Sequence, residues 1–174
     1  MSVWRSAVLA VLPVSLLGAC PSSSAEEPIA CTEIGCNDGV GLTVDAAPNA
    51  WLPGDYTVEV LADRASHTCS GTVPTSEQRI ESVTFECDGN SVRAALIRTE
   101  DCGPEHKATV ERVVCGTLEL EVHGTPSSVH LQVRFDGQTV LSETSEPQYR
   151  KLQPNGPECE PICERSSAEW ALPD

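Results

Sequence analysis

The sequence predicts an all-β protein, a β-sandwich of about eight short strands that is stapled by disulfides. The first observation is an alternation of apolar and polar residues from residue 40 to about residue 152, a period typical of half-buried strands. The second is a series of turn signals that separate the alternating runs. The third is the presence of nine cysteines in a chain of 174 residues.

The alternating runs supply most of the strands. In each run apolar side chains occupy every second position, so they share one face of a strand. The runs lie at residues 40–44, 56–62, 83–87, 92–96, 118–122 and 129–135. The turn signals between them are Pro53-Gly54, Asp88-Gly89-Asn90, Thr125-Pro126-Ser127 and Asp136-Gly137. Strands of this length, separated by such turns, favour a sandwich.

The last hairpin of this region can be assigned a register from parity. With Asp136 and Gly137 as a two-residue turn, Phe135 lies opposite Gln138. Val133 then lies opposite residue 140, also a valine. This register keeps the apolar side chains on one face, as a buried face requires.

The preceding hairpin is predicted to oppose Val122 to Leu131, which also places His123 opposite His130 on the outer face. Cross-strand Cβ atoms lie about 4.5–5.5 Å apart, close enough for two imidazoles to share a transition metal ion. Two imidazoles alone bind a metal weakly, and ordinary exposed polar positions are the simpler explanation of both residues. His123 and His130 are therefore candidate ligands only, and no cofactor is predicted.

Residues 52–58, Leu-Pro-Gly-Asp-Tyr-Thr-Val, resemble an early strand of immunoglobulin-like and prealbumin-like extracellular modules. The resemblance covers these seven residues and implies an immunoglobulin-like sandwich. The chain is poor in large aromatic residues, with two Phe, two Tyr and three Trp. We therefore expect the disulfides to supply stability that core packing does not.

The first twenty residues are typical of an export signal. Arg5 precedes the apolar run SAVLAVLPVSLL at residues 6–17, which is shorter than the roughly 20 residues of a membrane-spanning helix. The next residues, Leu17-Gly18-Ala19-Cys20, resemble the lipobox of bacterial lipoproteins. The resemblance implies cleavage after Ala19 and attachment of lipid to Cys20. An ordinary secretory signal that ends near a cysteine is the alternative.

The chain therefore divides into a signal peptide at residues 1–19, a flexible tether at 20–30, a sandwich domain at 31–155 and a cysteine-containing tail at 156–174. Two or three acyl chains are enough for stable anchoring in a bilayer. In Gram-negative lipoproteins an Asp after the lipidated cysteine commonly retains the protein at the inner membrane. Pro21 occupies that position, so the sequence favours the cell envelope and, within it, the outer membrane.

An exported chain enters an oxidising compartment, and this environment predicts that its cysteines form disulfides. Nine cysteines less Cys20 leave eight, an even number that can pair fully in an oxidising environment, where zinc binding by free thiolates is disfavoured. We predict bridges Cys69–Cys87 and Cys102–Cys115, because each pair brackets a segment that lets the chain return. For the remaining four cysteines, bridges between the two ends of the domain are favoured over two local loops. These four are Cys31, Cys36, Cys159 and Cys163.

Charge and motifs limit the function classes. The formal net charge of −15 argues against nucleic acid as a partner. No nucleophile elbow, zinc-protease motif or phosphate-binding glycine loop occurs, and no catalytic residue is predicted. We expect a non-enzymatic, lipid-anchored binding or structural module with an envelope protein as its candidate partner. The alternatives are an envelope hydrolase with catalytic carboxylates in loops, or a weak binder of metal or small ligand.

Overall fold

The computed structural model describes residues 31–46, 51–75, 81–98 and 114–172. These residues form ten strands and no helix, which confirms the all-β class. The described ranges accordingly hold no helical segment able to cross a bilayer. The strands are β1 (Gly39–Asp45), β2 (Gly54–Ala62), β3 (Ala65–Val73), β4 (Ser82–Cys87), β5 (Val92–Arg98), β6 (Gly116–His123), β7 (Val129–Phe135), β8 (Gln138–Ser145), β9 (Arg150–Leu152) and β10 (Cys163–Ala171).

All ten strands belong to one sheet, in the order β8-β7-β2-β3-β4-β5-β6-β1-β10-β9. Neighbouring strands are antiparallel, except that β1 and β10 run parallel. Strand β4 joins two halves: it pairs with β3 only at Cys87 and Glu86, and with β5 along Ser82–Phe85. We call β8-β7-β2-β3 the first half-sheet and β5-β6-β1-β10-β9 the second half-sheet.

The sheet curls so that buried side chains of both halves form a single core cluster. The alternation in the sequence explains this arrangement, because every second residue of a strand points to the same face. In the first half-sheet Val58, Val60 and Leu131 are fully buried, and in the second Val40 and Leu118 are fully buried. Valine and leucine side chains therefore make up most of the core cluster.

An aromatic cluster closes one end of this core. The ring centroids of Trp51 and Tyr56 lie 5.3 Å apart, and those of Tyr56 and Phe135 lie 4.9 Å apart. Trp51 Nε1 donates a hydrogen bond of 2.9 Å to the carbonyl oxygen of Gly116, at the start of β6. Three of the seven large aromatic residues of the chain thus form one cluster, which links β2 and β7 to β6.

The predicted register of the β7–β8 hairpin is correct only at its turn. Phe135 lies opposite Gln138, and Asp136 and Gly137 have φ values of 47° and 80°, as a tight hairpin turn requires. A β-bulge follows, so Val133 lies opposite Leu141 and not opposite the valine at position 140. The extra residue in β8 turns Leu141, which is 5% exposed, into the core.

The predicted pairing of residues 118–122 with residues 129–135 is wrong. Strand β6 pairs with β1 and β5, whereas β7 pairs with β2 and β8. Residues 124–128 carry the chain from the second half-sheet to the first. Parity shows which face of a strand is buried, but any strand with a matching apolar face satisfies it, so parity alone does not identify the partner.

The tail is also more ordered than the sequence predicts. It contains β10, of which seven of the nine residues pair in parallel with β1 along the whole length of β1, from Gly39↔Arg165 to Asp45↔Ala171. Ala168 and Trp170 pack against the core cluster from this strand. The serines and charged residues of β10 weaken its apolar pattern, which is why the strand is hard to recognise in the sequence.

Both ends of the domain are stapled together by two disulfides, Cys31–Cys159 and Cys36–Cys163. The predicted preference for bridges between the ends over local loops is confirmed. The Cys69–Cys87 bridge is also present, with the two Cα atoms 3.9 Å apart where β3 meets β4. Cys115 is disulfide-bonded, but its predicted partner Cys102 lies outside the described residues, as do Cys20, the signal peptide and the tether.

Asn155 holds the same two ends together through hydrogen bonds. Its Oδ1 accepts from Thr32 Oγ1 at 2.7 Å and from the Ile34 amide at 2.8 Å. Its Nδ2 donates to the carbonyl oxygens of Ile34, at 3.0 Å, and Glu160, at 2.6 Å. Within the described ranges Asn155 is the only polar residue classed as buried, so its amide replaces water as the partner of this backbone.

We expect Asn155→Ala to lower the free energy of unfolding by about 2–3 kcal/mol, because it removes four hydrogen bonds and leaves backbone groups without partners. Urea unfolding of the disulfide-intact protein measures the change. Asn90→Ala, at an exposed turn position, is the matched control and should change stability by less than about 0.5 kcal/mol. Equal effects of the two substitutions would contradict the role assigned to Asn155.

Candidate functional site

The outer face of the second half-sheet carries a groove of about 680 Å³. The groove lies across β4, β5, β6, β1 and β10, on the side opposite to the core. Its volume falls in the range of ligand sites, roughly 300–1,000 Å³. Strand alternation explains the lining: Arg93, Glu119, Glu121 and Thr43 are the residues between the buried positions of their strands.

Two glycines of β1 shape the groove. A Cβ atom on Gly39 would lie 2.7 Å from the carbonyl oxygen of Val122 and 3.1 Å from Arg165 Nη1. Arg165 of β10 lies opposite Gly39, and its side chain crosses β1 to reach β6. Gly41, two residues further along, leaves part of the floor without a side chain. Glycine at position 39 is therefore what allows the arginine to cross.

The crossing arginine forms the shortest ion pair of the described region. Arg165 Nη1 donates to Glu121 Oε1 at 2.7 Å and to the carbonyl oxygen of Asn37 at 3.3 Å. This hydrogen bond is the main reason that the pKa of Glu121 lies below its ordinary value of 4.5, against the opposing effect of partial burial. Glu121 is thus ionised at neutral pH, and its carboxylate is paired with the Arg165 guanidinium.

Two other charged residues of the groove are exposed to solvent. Arg93 and Glu119 are exposed, and neither forms an ion pair or a side-chain hydrogen bond with another described residue. Arg93 lies opposite Glu121, and Glu119 lies opposite Ala95 on β5 and Thr43 on β1. The groove therefore presents two further exposed charged side chains, and the positive charge of Arg93 already helps to lower the pKa of Glu121.

The predicted histidine pair is not formed, because β6 and β7 are not neighbours. His123 lies opposite Gly39 in the second half-sheet, and its Nε2 is buried without a hydrogen-bond partner in the described structure. His130 lies opposite Leu61 in the first half-sheet, with Nδ1 3.0 Å from Thr144 Oγ1. Within the described residues, no three His, Cys, Asp or Glu side chains are grouped as metal ligands.

The Asp-Gly turns have structural roles. Asp38 Oδ1 accepts a hydrogen bond of 2.7 Å from the amide of Glu164, which ties β1 to β10. Asp88 Oδ1 accepts one of 2.8 Å from the amide of Thr68, beside the Cys69–Cys87 bridge. Gly89 has a φ of 84°, a conformation that favours glycine. The contacts of Asp88 and Gly89 agree with the turn that the sequence predicts there, whereas Asp38 immediately precedes β1.

A second, smaller groove of about 520 Å³ lies on the outer face where β3 and β4 diverge. Its side chains are mainly hydroxyls and carboxylates, among them Asp55, Ser70 and Glu86. Asp55 Oδ1 already accepts a hydrogen bond of 2.6 Å from Thr72 Oγ1. This groove has no basic residue in its lining, so the first groove has the more varied chemistry.

Sequence reasoning missed the larger groove for one reason. The residues that form it alternate with core residues and are visible as polar positions, but Arg165 belongs to a strand that was not predicted. Comparison with known proteins adds nothing to this description: no protein family, curated protein or solved structure matches the chain. The site therefore has to be interpreted from its own geometry.

Glu121 and Arg165 should couple by about 0.5–1 kcal/mol at neutral pH, the usual range for a partly exposed pair. Unfolding of Glu121→Gln, Arg165→Gln and the double variant measures this coupling. Because the folded-state pKa of Glu121 lies below 4.5, the coupling is complete above that value and is lost as the pH falls through the folded-state pKa.

The matched control is Glu169→Gln, an exposed position on the same strand as Arg165, which should show no coupling to Arg165→Gln. Coupling of Glu121 and Arg165 that stayed constant as the pH fell far below 4.5 would contradict the assignment.

Proposed function

We propose that the chain is an exported lipoprotein of the cell envelope, cut before Cys20 and anchored by lipid on that residue, which acts as a non-enzymatic binding module. The binding surface is the groove on the outer face of the second half-sheet. In a Gram-negative host the protein is held at the outer membrane.

Export is supported by the state of the cysteines. All seven cysteines among the described residues are disulfide-bonded: Cys31, Cys36, Cys69, Cys87, Cys115, Cys159 and Cys163. Disulfides persist in oxidising compartments and are rare where thiols are kept reduced. This pattern agrees with a signal peptide at residues 1–19.

The position of the first bridge suits an anchored domain. The proposed tether enters the domain at Cys31, which is bridged to Cys159. Cys36, five residues later, is bridged to the first residue of β10. A force applied to the tether is therefore transmitted through these two disulfides, and it does not separate β1 from its neighbouring strands.

The observation that carries the binding function is the composition of the groove. A rigid sheet holds Arg93 and Glu119 in the lining, both exposed to solvent, with Arg93 directly opposite Glu121. Fixed charges on regular strands need little reordering when a ligand binds, which lowers the entropic cost of association. The Glu121–Arg165 ion pair lies beside them in the lining of the groove.

We also propose that the domain is an immunoglobulin-like sandwich. Two half-sheets that share one core support this interpretation, as does the position of residues 52–58 at the start of β2. The proposed sandwich has ten strands, because β9 and β10 extend the second half-sheet.

The anchor is tested by Cys20→Ser. The unchanged chain should be cut and should incorporate labelled palmitate, whereas the variant should remain uncut and unlabelled, since the lipid acceptor is missing. Ser24→Ala, four residues further on, should be processed normally. Normal cutting and labelling of Cys20→Ser would exclude the lipoprotein proposal.

The binding surface is tested by a photo-crosslinking residue placed at Thr43, in the groove. The control position is Ser142, an exposed residue of β8. Irradiation in intact cell envelopes should give adducts from position 43 and few from position 142. Equal labelling at both positions would show that the groove is not a preferred surface.

A further inference from the structure

Strand β10 has one edge along which β9 pairs with only its first three residues. Strand β1 lies on one side of β10 and pairs with residues 165–171. On the other side β9 pairs with residues 163–165 alone, and among the described strands none lies further out than β9. The chain before β9 does not lengthen it, because residues 146–149 form no strand and Pro147 has no amide hydrogen. We call residues 166–171 the open edge.

Two hydrogen bonds show which backbone groups face outward along the open edge. The amide of Glu164 donates to Asp38 Oδ1 at 2.7 Å, and the amide of Leu172 donates to the carbonyl oxygen of Asp45, the last residue of β1, at 3.0 Å. Even-numbered residues of this strand therefore direct their amides toward β1. Successive residues of a strand direct their N–H and C=O groups to alternate sides. The residues whose groups point away from β1 are Ser167, Glu169 and Ala171.

The side chains on the core side of the open edge are incompletely covered. Ala168 lies opposite Leu42, and Trp170 lies opposite Val44. Leu42 and Val44 are buried in the core, whereas Ala168 and Trp170 pack against the core cluster but are only partly buried. A strand added beside β10 places side chains directly next to them on the same face. Apolar residues at those positions would bury more apolar surface, which favours association.

The outer side of the open edge favours a positively charged neighbour. Glu169 is exposed and forms no ion pair or side-chain hydrogen bond with another described residue. It lies opposite Thr43, and Glu119 lies on the other side of Thr43. A lysine or arginine opposite Glu169 would form a favourable cross-strand pair, and a glutamate there would be repelled. The net charge of −15 acts in the same direction.

The other border of the sheet, β8, is less suited to accept a strand. A β-bulge interrupts its register with β7 next to Val133, and bulges are one way in which proteins protect an edge strand from pairing. Strand β10 keeps an unbroken register with β1 and contains no lysine or proline. A second copy of the chain is a poor occupant, because two molecules of charge −15 repel each other.

We propose that the open edge binds an extended segment of a partner protein in which lysine or arginine alternates with apolar residues. The segment lies antiparallel to β10, in line with β9, and adds a strand to the second half-sheet. Its basic side chains lie on the outer face, and its apolar side chains lie beside Ala168 and Trp170. This proposal goes beyond the proposed function, since it depends neither on the lipid anchor nor on the groove.

The test measures binding of two acetylated and amidated heptapeptides to the full-length protein purified in detergent. One peptide alternates lysine with valine, and the other alternates glutamate with valine. The lysine peptide should bind at least about tenfold more tightly, because its charges are opposite to that of Glu169. The readout is acrylamide quenching of Trp170, which should fall when the added strand covers its ring. Trp170→Phe should remove this response, since Trp51 is already buried.

Methylated peptides test the backbone pairing. Residues directly opposite each other in an antiparallel pair exchange two hydrogen bonds or none, in alternation. The lysines lie opposite the residues of β10 whose N–H and C=O groups face outward, so their own amides form the hydrogen bonds. N-methylation of the lysines should abolish binding, whereas N-methylation of the valines should change it by less than about twofold. Equal losses from the two methylated peptides would contradict strand addition.

Charge reversal assigns the contact to the open edge. Glu169→Lys should weaken binding of the lysine peptide by about tenfold and strengthen binding of the glutamate peptide, because attraction becomes repulsion. The matched control is Glu143→Lys, at an exposed position on β8, which should change either affinity by less than about twofold. Both positions are exposed, and urea unfolding checks that both variants remain folded.

Three results would overturn the proposal. The first is absence of binding by the lysine peptide. The second is an equal effect of Glu169→Lys and Glu143→Lys, which means general attraction to an acidic protein. The third is a homodimer, formed without peptide, that Glu169→Lys dissociates, which means that the edge binds a second copy. None of these results affects the groove, which crosslinking from position 43 tests separately.

Discussion

The joining of the two ends of the domain is the constraint on which the rest of the structure depends. Strands β1 and β10 are far apart in the sequence, and bringing them side by side costs chain entropy. The Cys31–Cys159 bridge closes a loop of 128 residues, and in the chain-entropy model a loop near this length is worth about 5 kcal/mol. With the ends fixed, β10 pairs with β1, and Arg165 comes within reach of Glu121.

The second bridge and Asn155 act on a much shorter segment. Once Cys31 is joined to Cys159, Cys36–Cys163 closes only the few residues between the two bridges, so it fixes orientation more than it limits the unfolded chain. The Asn155 amide then satisfies the backbone of this segment, which has no strand partner of its own. In this segment, disulfides and hydrogen bonds together supply the stability that a larger apolar core supplies in a longer domain.

Local pattern was enough to predict the faces of the strands but not their partners. Residues such as Val58 and Leu120 are buried where their alternation predicts, and the Asp136-Gly137 turn lies where its dipeptide predicts. Parity could not distinguish β1 from β7 as the partner of β6, because both present a valine-rich face. The favoured pairing of Cys31 and Cys36 with cysteines at the other end of the domain was correct. Cysteines at both ends of a domain indicate that disulfides join the two ends.

The candidate site was harder to predict because its parts come from distant segments. The pairing of β5 with β6 places Arg93 opposite Glu121, and Arg165 joins them only because β10 lies beside β1. Gly39 has no motif around it that indicates a passage for a side chain. Its role appears only when Arg165 is seen to cross at that position.

The parallel pairing of β1 and β10 also fixes where the described chain enters and leaves the domain. Both strands start at the stapled end, and the amide of Leu172 bonds the carbonyl oxygen of Asp45 at the other end. Strand β10 spans nine residues from Cys163 to Ala171, and the eight steps between them cover roughly 26 Å at the usual rise. A label or fusion joined after the last strand would therefore emerge at the pole opposite to the entering chain.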